Sequence, residues 1–382
     1  MKRFIIKSLL FILPLAAIVL PSYHYLSSHG ELESFEAMVE KNQKDGTLIG
    51  LSYSDPAYLL KQRVLERRKP NVISLGTSRV LQLRAFFFKE PDRYYNCGRC
   101  VRRMKDYNAF LNSYPAELPE LIVLGLDQDL FNKNFDDLTH AERNYVQNDL
   151  SREGKFFKNS KALIKSFKKG KIDRGEVKKE DGFGVNARLH HTGFRADGSY
   201  RYGNYIGEQL IYDDYKFGST IGRIAKNKRR FSASDEVNPE ALEEFANFLK
   251  NCKEKGIHVV VFLPPYAETV LMKMAEQPAK YPNMFELYDK VLPICSQLGY
   301  PLFDLTQMSS FGSNDFEAID GLHGSEVCYL RGLRLMAQSD ERLATHVDVA
   351  HLDSLLKSAF SSRQVVKEID ELNAKPVIEL VE

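Results

Sequence analysis

The chain has no tryptophan, which by itself decides nothing, and only five cysteines, which decides more. They are Cys97, Cys100, Cys252, Cys295 and Cys328. No second cysteine pair or histidine pair stands at ligand spacing, so a zinc site is not supported. The adjacent His190 and His191 send their side chains apart and have no carboxylate cluster beside them. No Walker-type loop, dinucleotide fingerprint or EF-hand pattern occurs, and no cofactor is implied. "CGRC" at 97–100 could close into a tight disulfide in an oxidising compartment, yet it lacks the strand-to-helix setting of thioredoxin-like redox motifs. The other three thiols read as buried or incidental. No internal repeat is present.

Net charge is also scarce, at +2 from 53 basic and 51 acidic residues. The balance is uneven along the chain, since Arg152 to Lys179 carries 11 basic side chains against Glu153, Asp173 and Glu176. That stretch suits a solvated helix or loop, and it could also meet an anionic surface.

The N-terminus carries the one long apolar run. Met1-Lys2-Arg3 precedes "FIIKSLLFILPLAAIVLPSYHYL", with Tyr23 and Tyr25 at its far end where an interfacial belt would sit. A spanning helix needs about 20 residues, which this run barely supplies. The exit through Leu20-Pro21-Ser22-Tyr23 lacks a small-x-small cleavage pattern, favouring an uncleaved signal anchor over a removed signal peptide. Basic residues ahead of the run place the N-terminus in the cytoplasm and the rest outside the inner membrane. A nucleic-acid role for the basic stretch then fails, because it lies on the wrong side.

With 382 residues the chain can bury a substantial core. Five short runs rich in β-branched or aromatic residues follow the anchor: "NVISL" (71–75), "RYYNC" (93–97), "LIVLGL" (121–126), "IHVVVFL" (257–263) and "YPLFDL" (300–305). Helical stretches fall between them. One begins at Asn238-Pro239, a cap followed by proline at the first helical position, and stops at Gly256. Apolar strands alternating with helices predict a parallel sheet covered on both faces. The expected organisation is an anchor at 1–26, a helical lead-in at 27–70, an α/β domain at 71–345 with an insertion at about 130–236, and a helical tail at 346–382. Within the insertion, "RADGSY" reads as a turn at the tip of a small hairpin.

In such a sheet, ligands gather at the C-terminal strand ends, where strand order reverses. Ser78, in "NVISLGTSR", stands three residues past the end of the first run. It is either the cap of a helix or a nucleophile whose own N–H helps to hold an oxyanion. A serine hydroxyl needs a base, and an imidazole oriented by a carboxylate is the common solution. Asp320-Gly321-Leu322-His323 offers both groups in one loop after the last predicted strand. Tyr266, after Pro264-Pro265 at the end of the fourth run, either lines the cleft or packs. Asp304 reads as a structural cap at the end of the fifth.

These blocks, in this order, resemble the SGNH (GDSL-type) hydrolase superfamily. The similarity is to its membrane-anchored bacterial branch, which includes D-alanyl transfer and alginate-type O-acetylation proteins. "VVVFLPPY" (259–266) and "GFRADGSYRY" (193–202) also resemble stretches of that branch. The resemblance implies a three-layer α/β/α sandwich with a five-stranded parallel, flavodoxin-like sheet behind the transmembrane helix. It also implies Ser78 as nucleophile, His323 as base, Asp320 as its orienting acid, and the N–H groups of Ser78 and Gly98 (in "YYNCG") as the oxyanion hole. One block departs. "GLDQD" puts Asp127 where the family carries an asparagine, and a carboxylate cannot donate a hydrogen bond unless protonated. Either Asp127 pairs with Arg79 and leaves two backbone donors to carry the hole, or catalysis is weak or the site has been repurposed for binding. Arg79, Asp127 and Tyr266 are therefore candidate modulators.

The expected function is an extracytoplasmic serine esterase or O-acyltransferase, working through an acyl-serine on acyl esters of envelope polysaccharide or lipid. A membrane-bound O-acyltransferase is a candidate partner. The alternative is a non-catalytic accessory protein that binds polysaccharide or docks on such an acyltransferase.

Overall fold

The computed structural model describes residues 1–139, 152–172, 182–203, 206 and 214–368. The chain divides into two compact units. One comprises 1–60, 147–196 and 201–203; the other holds 61–146, 197–200 and 204–382.

The first unit contains helix Lys2–Ser28, whose stretch Leu10–Ser28 is long and apolar enough to cross a membrane. Only 6% of that stretch is buried within the protein. Helix Phe35–Asp45 follows, capped by the Ser34 hydroxyl and closed by Gly46 in the left-handed region. Helix Arg152–Lys168 packs through Leu163 against Leu26 and Leu32, with the Phe156 ring edge-on to Tyr23.

The second unit is α/β. Its five parallel strands are β1 (Val72–Gly76), β2 (Tyr94–Gly98), β3 (Leu121–Gly125), β4 (His258–Leu263) and β5 (Leu302–Asp304). Their spatial order is β2-β1-β3-β4-β5. All five apolar runs in the sequence thus enter one sheet. Every residue of β1 to β4 is buried, as expected for strands covered on both sides. Val123, Val260 and Phe262 pack with Val327, Leu330, Leu333 and Met336 of helix Glu326–Ser339. Helix Pro239–Glu254 buries Phe245, Phe248, Leu249 and Cys252, and the Asn238 side chain caps its N-terminus as expected. Between β2 and β3 lies the short helix Asp106–Asn112. Near the C-terminus lies helix Val349–Lys357, and residues 369–382 of the expected helical tail fall outside the described residues.

The "RADGSY" turn does tip a two-stranded ribbon, Gly193–Phe194 with Tyr200–Arg201, with Gly198 at φ +79°. The basic stretch supplies helix Arg152–Lys168, and part of it lies outside the described residues. All five cysteines are free and buried, Cys97 and Cys100 included.

Because the chain runs from β1 outward to β2 and then returns across β1 to β3, strand order reverses between β1 and β3. The carboxyl ends of these two strands flank that reversal, and they carry Ser78 and Asp127. This is the crevice where open α/β sheets take ligands.

Candidate active site

β1 ends at Gly76, and Thr77 leads into a single 3-10 turn, Ser78–Val80, rather than the α-helical turn the sequence suggested. Two glycines allow the tight packing. A Cβ on Gly125 would lie 2.3 Å from Val80, and one on Gly76 would lie 2.9 Å from the Gly125 carbonyl. The capping side chain is Thr77, which accepts from the Arg79 N–H and leaves the Ser78 hydroxyl for other work. Ser78 Oγ lies 2.8 Å from His323 Nε2. His323 Nδ1 lies 2.7 Å from Asp320 Oδ2 and 2.9 Å from Oδ1. With Asp320 facing Nδ1, the neutral ring holds its proton there and presents Nε2 as an acceptor to the serine.

Asp320 is fixed in turn, accepting the Leu322 and His323 backbone N–H groups at 2.7 Å each. Burial would raise its carboxyl, but the His323 ring and these hydrogen bonds outweigh burial and hold it down at about 2. It is therefore a carboxylate throughout the range in which an imidazole can act as a base.

Two side chains clamp this loop from behind. Asp214, nearly buried, accepts the Gly321 N–H at 2.9 Å while also holding the Thr220 N–H and hydroxyl at 2.7 Å each. Arg79 is fully buried and donates to the Leu322 carbonyl at 3.1 Å, to Gln128 Oε1 at 2.8 Å, and to the Pro264 and Pro265 carbonyls at 2.8 and 2.7 Å. Its guanidinium lies 4.0 Å from the centre of the Tyr266 ring. Arg79 thus ties the turn after β1 to the segments after β3 and β4 and to the histidine loop.

The Gly98 role needs correction, and the alternatives left open for Arg79 and Tyr266 are decided. Arg79 forms no ion pair with Asp127, because its donors are turned onto three carbonyls and an amide; its charge reaches that carboxyl only through space. Tyr266 is 1% exposed and packs under Arg79, so it does not line the cleft. Gly98 is not an open oxyanion donor: its N–H is taken by Asn96 Oδ1 at 2.8 Å, and its carbonyl accepts from the buried Lys61 ammonium at 2.6 Å. Burial lowers that ammonium to about 8. Asp304 caps the turn after β5 by accepting the Thr306 N–H, as the sequence suggested.

The Ser78 N–H has no hydrogen-bond partner among the described residues, as an oxyanion donor requires. Asp127, 1% exposed, accepts the Thr77 hydroxyl on Oδ2, while its buried Oδ1 has no partner. Burial pushes this carboxyl up to about 6; Arg79, the Thr77 hydrogen bond and Arg230 oppose that shift, and Asp129 adds to it.

A cavity of about 500 Å³ opens beside Ser78, lined also by Thr77, Asp127 and Asp129 and by the side chains of Arg99, Arg102, Arg103, Arg229 and Arg230. Arg230 pairs with Asp129 at 3.1 Å, and Arg103 lies 3.9 Å from Asp136. The Phe135 ring sits 5.4 Å from the Arg103 guanidinium and 5.6 Å from that of Arg230. Five arginines against two carboxylates make the cavity cationic. "RCVRR" at 99–103 and "KNKRR" at 226–230 supply these arginines, and nothing in the sequence placed the two together beside the serine. Asp214, inside the insertion, carried no signal at all. No group of three or more metal-ligating side chains occurs among the described residues, His190 and His191 included.

No known family model matches the chain, and no curated protein matches it either.

Proposed function

We propose that the protein is a serine esterase or O-acyltransferase of the SGNH type, its second unit a three-layer α/β/α sandwich with a flavodoxin-like sheet. In this reading the N-terminal helix is an uncleaved anchor in a bacterial inner membrane, and the domain faces the periplasm or cell exterior. The observation that carries the proposal is the continuous chain Ser78 Oγ, His323 Nε2, His323 Nδ1, Asp320, with contacts of 2.8 and 2.7 Å at the strand-order reversal.

Ser78 Oγ attacks an acyl carbonyl carbon as its proton passes to His323 Nε2. The carbonyl becomes an oxyanion held by the Ser78 N–H, and Asp320 stabilises the imidazolium. Collapse breaks the ester C–O bond, and His323 returns the proton to the departing alcohol. Water then releases the acyl group, or a sugar hydroxyl receives it, by the reverse proton path. The arginine-lined cavity favours an acceptor or substrate bearing carboxylate or phosphate groups, such as an anionic envelope polymer.

The test uses the full chain in detergent, with a fluorophosphonate probe and p-nitrophenyl acetate. Ser78→Ala is expected to abolish labelling and to lower turnover by about 1,000-fold or more. Equal labelling and turnover in the two proteins rejects Ser78 as nucleophile.

Two observations favour a second reading, an accessory protein that binds polysaccharide or docks on a membrane O-acyltransferase. The Gly98 N–H is occupied, and Asp127 carries no amide. Absence of labelling in the unsubstituted protein, together with retained binding of an anionic polysaccharide, selects this alternative.

A further inference from the structure

Between Gly154 and Ile172 the chain has seven lysines and no acidic residue. Lys155 turns inward, donating to the Glu33 carbonyl at 2.9 Å with its ammonium 3.9 Å from the centre of the Phe35 ring. The other six, Lys158, Lys161, Lys165, Lys168, Lys169 and Lys171, are exposed. Lys158, Lys161, Lys165 and Lys168 are spaced three or four residues apart, so they form one stripe along helix Arg152–Lys168. Phe157 and Phe167 stand out of the same helix, 72% and 63% exposed. Two bare phenylalanines beside a lysine stripe are costly in water and fit the boundary of a bilayer.

The location agrees. The helix packs against the far end of the candidate spanning helix, where Tyr23 and Tyr25 lie. Between them is a cavity of about 770 Å³, lined mainly by apolar side chains that include Ile18, Pro21 and Tyr25 on one side and Leu163, Ile164 and Phe167 on the other. That volume is in the range that accepts a substantial apolar ligand. It opens where an acyl chain would enter from the bilayer, within reach of the lysines that end the helix.

We propose that this groove is a binding site for one anionic phospholipid, its acyl chain lying between the two helices and its phosphate held by Lys165, Lys168 and Lys169. The occupant is a lipid rather than an anionic polymer, because the groove is apolar and continuous with the spanning helix. The site rests on that helix lying in a membrane and is independent of any chemistry at Ser78.

The absence of tryptophan supplies the probe. Phe167→Trp places a single indole in the groove, and Phe157→Trp places one on the exposed face should the first variant fold poorly by circular dichroism. The full chain is reconstituted in nanodiscs of phosphatidylcholine with a minority of phosphatidylglycerol, bromine being carried on the acyl chains of an equal amount of one lipid or the other. Quenching is expected to be about twofold stronger from brominated phosphatidylglycerol. The combined Lys165→Glu, Lys168→Glu and Lys169→Glu substitutions should make the two lipids equal. Equal quenching before those substitutions overturns the proposal, as does emission unaffected by either lipid. Loss of the preference on adding soluble polygalacturonate would assign the lysines to a polymer and overturn it too.

Discussion

Asp127 concentrates the chemistry of the site in one side chain. It stands at the carboxyl end of β3, across the strand-order reversal from Ser78, with one oxygen on the Thr77 hydroxyl and the other buried without a partner. In the proposed reaction a carboxylate here would oppose the developing oxyanion, and its protonated form would be a donor. Burial raises this carboxyl to about 6. Turnover in that reaction should therefore fall along an alkaline limb as Asp127 ionises. Asp127→Asn removes that limb and should raise turnover above pH 6 by up to about 100-fold, with little change below pH 5. A pH–rate profile of both proteins checks this; a lower rate for Asp127→Asn at every pH assigns the carboxyl a specific role instead. The same shift has a sign for stability. A carboxyl raised in the folded state binds protons the unfolded chain has released, so its contribution worsens as pH climbs from about 4 to about 6. Asp127→Asn should then be the more stable protein above pH 6. Asp320 runs oppositely: held at about 2, it stabilises the fold above its unfolded value, and that contribution is lost as pH falls toward 2.

The histidine loop is the element whose placement matters most, and residues far away in sequence hold it. Asp214 accepts the Gly321 N–H and Arg79 donates to the Leu322 carbonyl, Gly321 and Leu322 being the two residues that lead into His323. Asp214→Ala should slow fluorophosphonate labelling of Ser78 by about 10- to 100-fold, since a displacement near 1 Å can cost that much. Asp214→Asn keeps an acceptor for Gly321 and should recover part of the rate; equal rates in all three proteins would remove Asp214 from the positioning of the loop. Arg79→Lys is not conservative, because one ammonium cannot serve four acceptors in different directions or stack on Tyr266. It should lower stability by about 2–4 kcal/mol in urea unfolding. Among the helices, Asn238→Ala removes a cap whose oxygen accepts the Glu240 N–H, at a cost of about 1 kcal/mol. That cap was legible because it is local: asparagine, proline and the following apolar face lie within one stretch of chain. The Arg79 clamp was not, since its four acceptors come from three segments between residues 128 and 322.

At the scale of the whole molecule, chain order and spatial grouping part company. The first unit joins residues 1–60 to 147–196, so much of what reads as an insertion into the α/β domain belongs with the N-terminal segment. The basic stretch read first as a solvated helix or loop; its described part, residues 152–172, lies beside the candidate spanning helix. The cysteines make a similar point. All five are free and buried. Burial raises the Cys97 thiol well above its usual value and raises those of Cys252, Cys295 and Cys328 to about 12. In reduced, folded protein these four thiols should resist iodoacetamide at pH 8, and all five should react once the chain is unfolded in guanidinium. Mass spectrometry of the alkylated chain reads both outcomes, and rapid alkylation of the folded protein contradicts this burial.

The sequence by itself determined whatever depends on neighbouring residues. Short continuous apolar runs marked the five strands, a cap and proline marked a helix start, and Asp320 with His323 formed an acid–imidazole pair three residues apart. Those features follow from backbone geometry and burial, which act over a few residues. Only the tertiary structure decided which polar groups remain available. It spent the Gly98 N–H on Asn96, turned Arg79 onto carbonyls instead of Asp127, placed Tyr266 under a guanidinium, and gathered five arginines beside Ser78. Hydrogen bonds are short and saturable, so a donor's role depends on the acceptors that packing brings within about 3 Å, and chain order does not encode that distance.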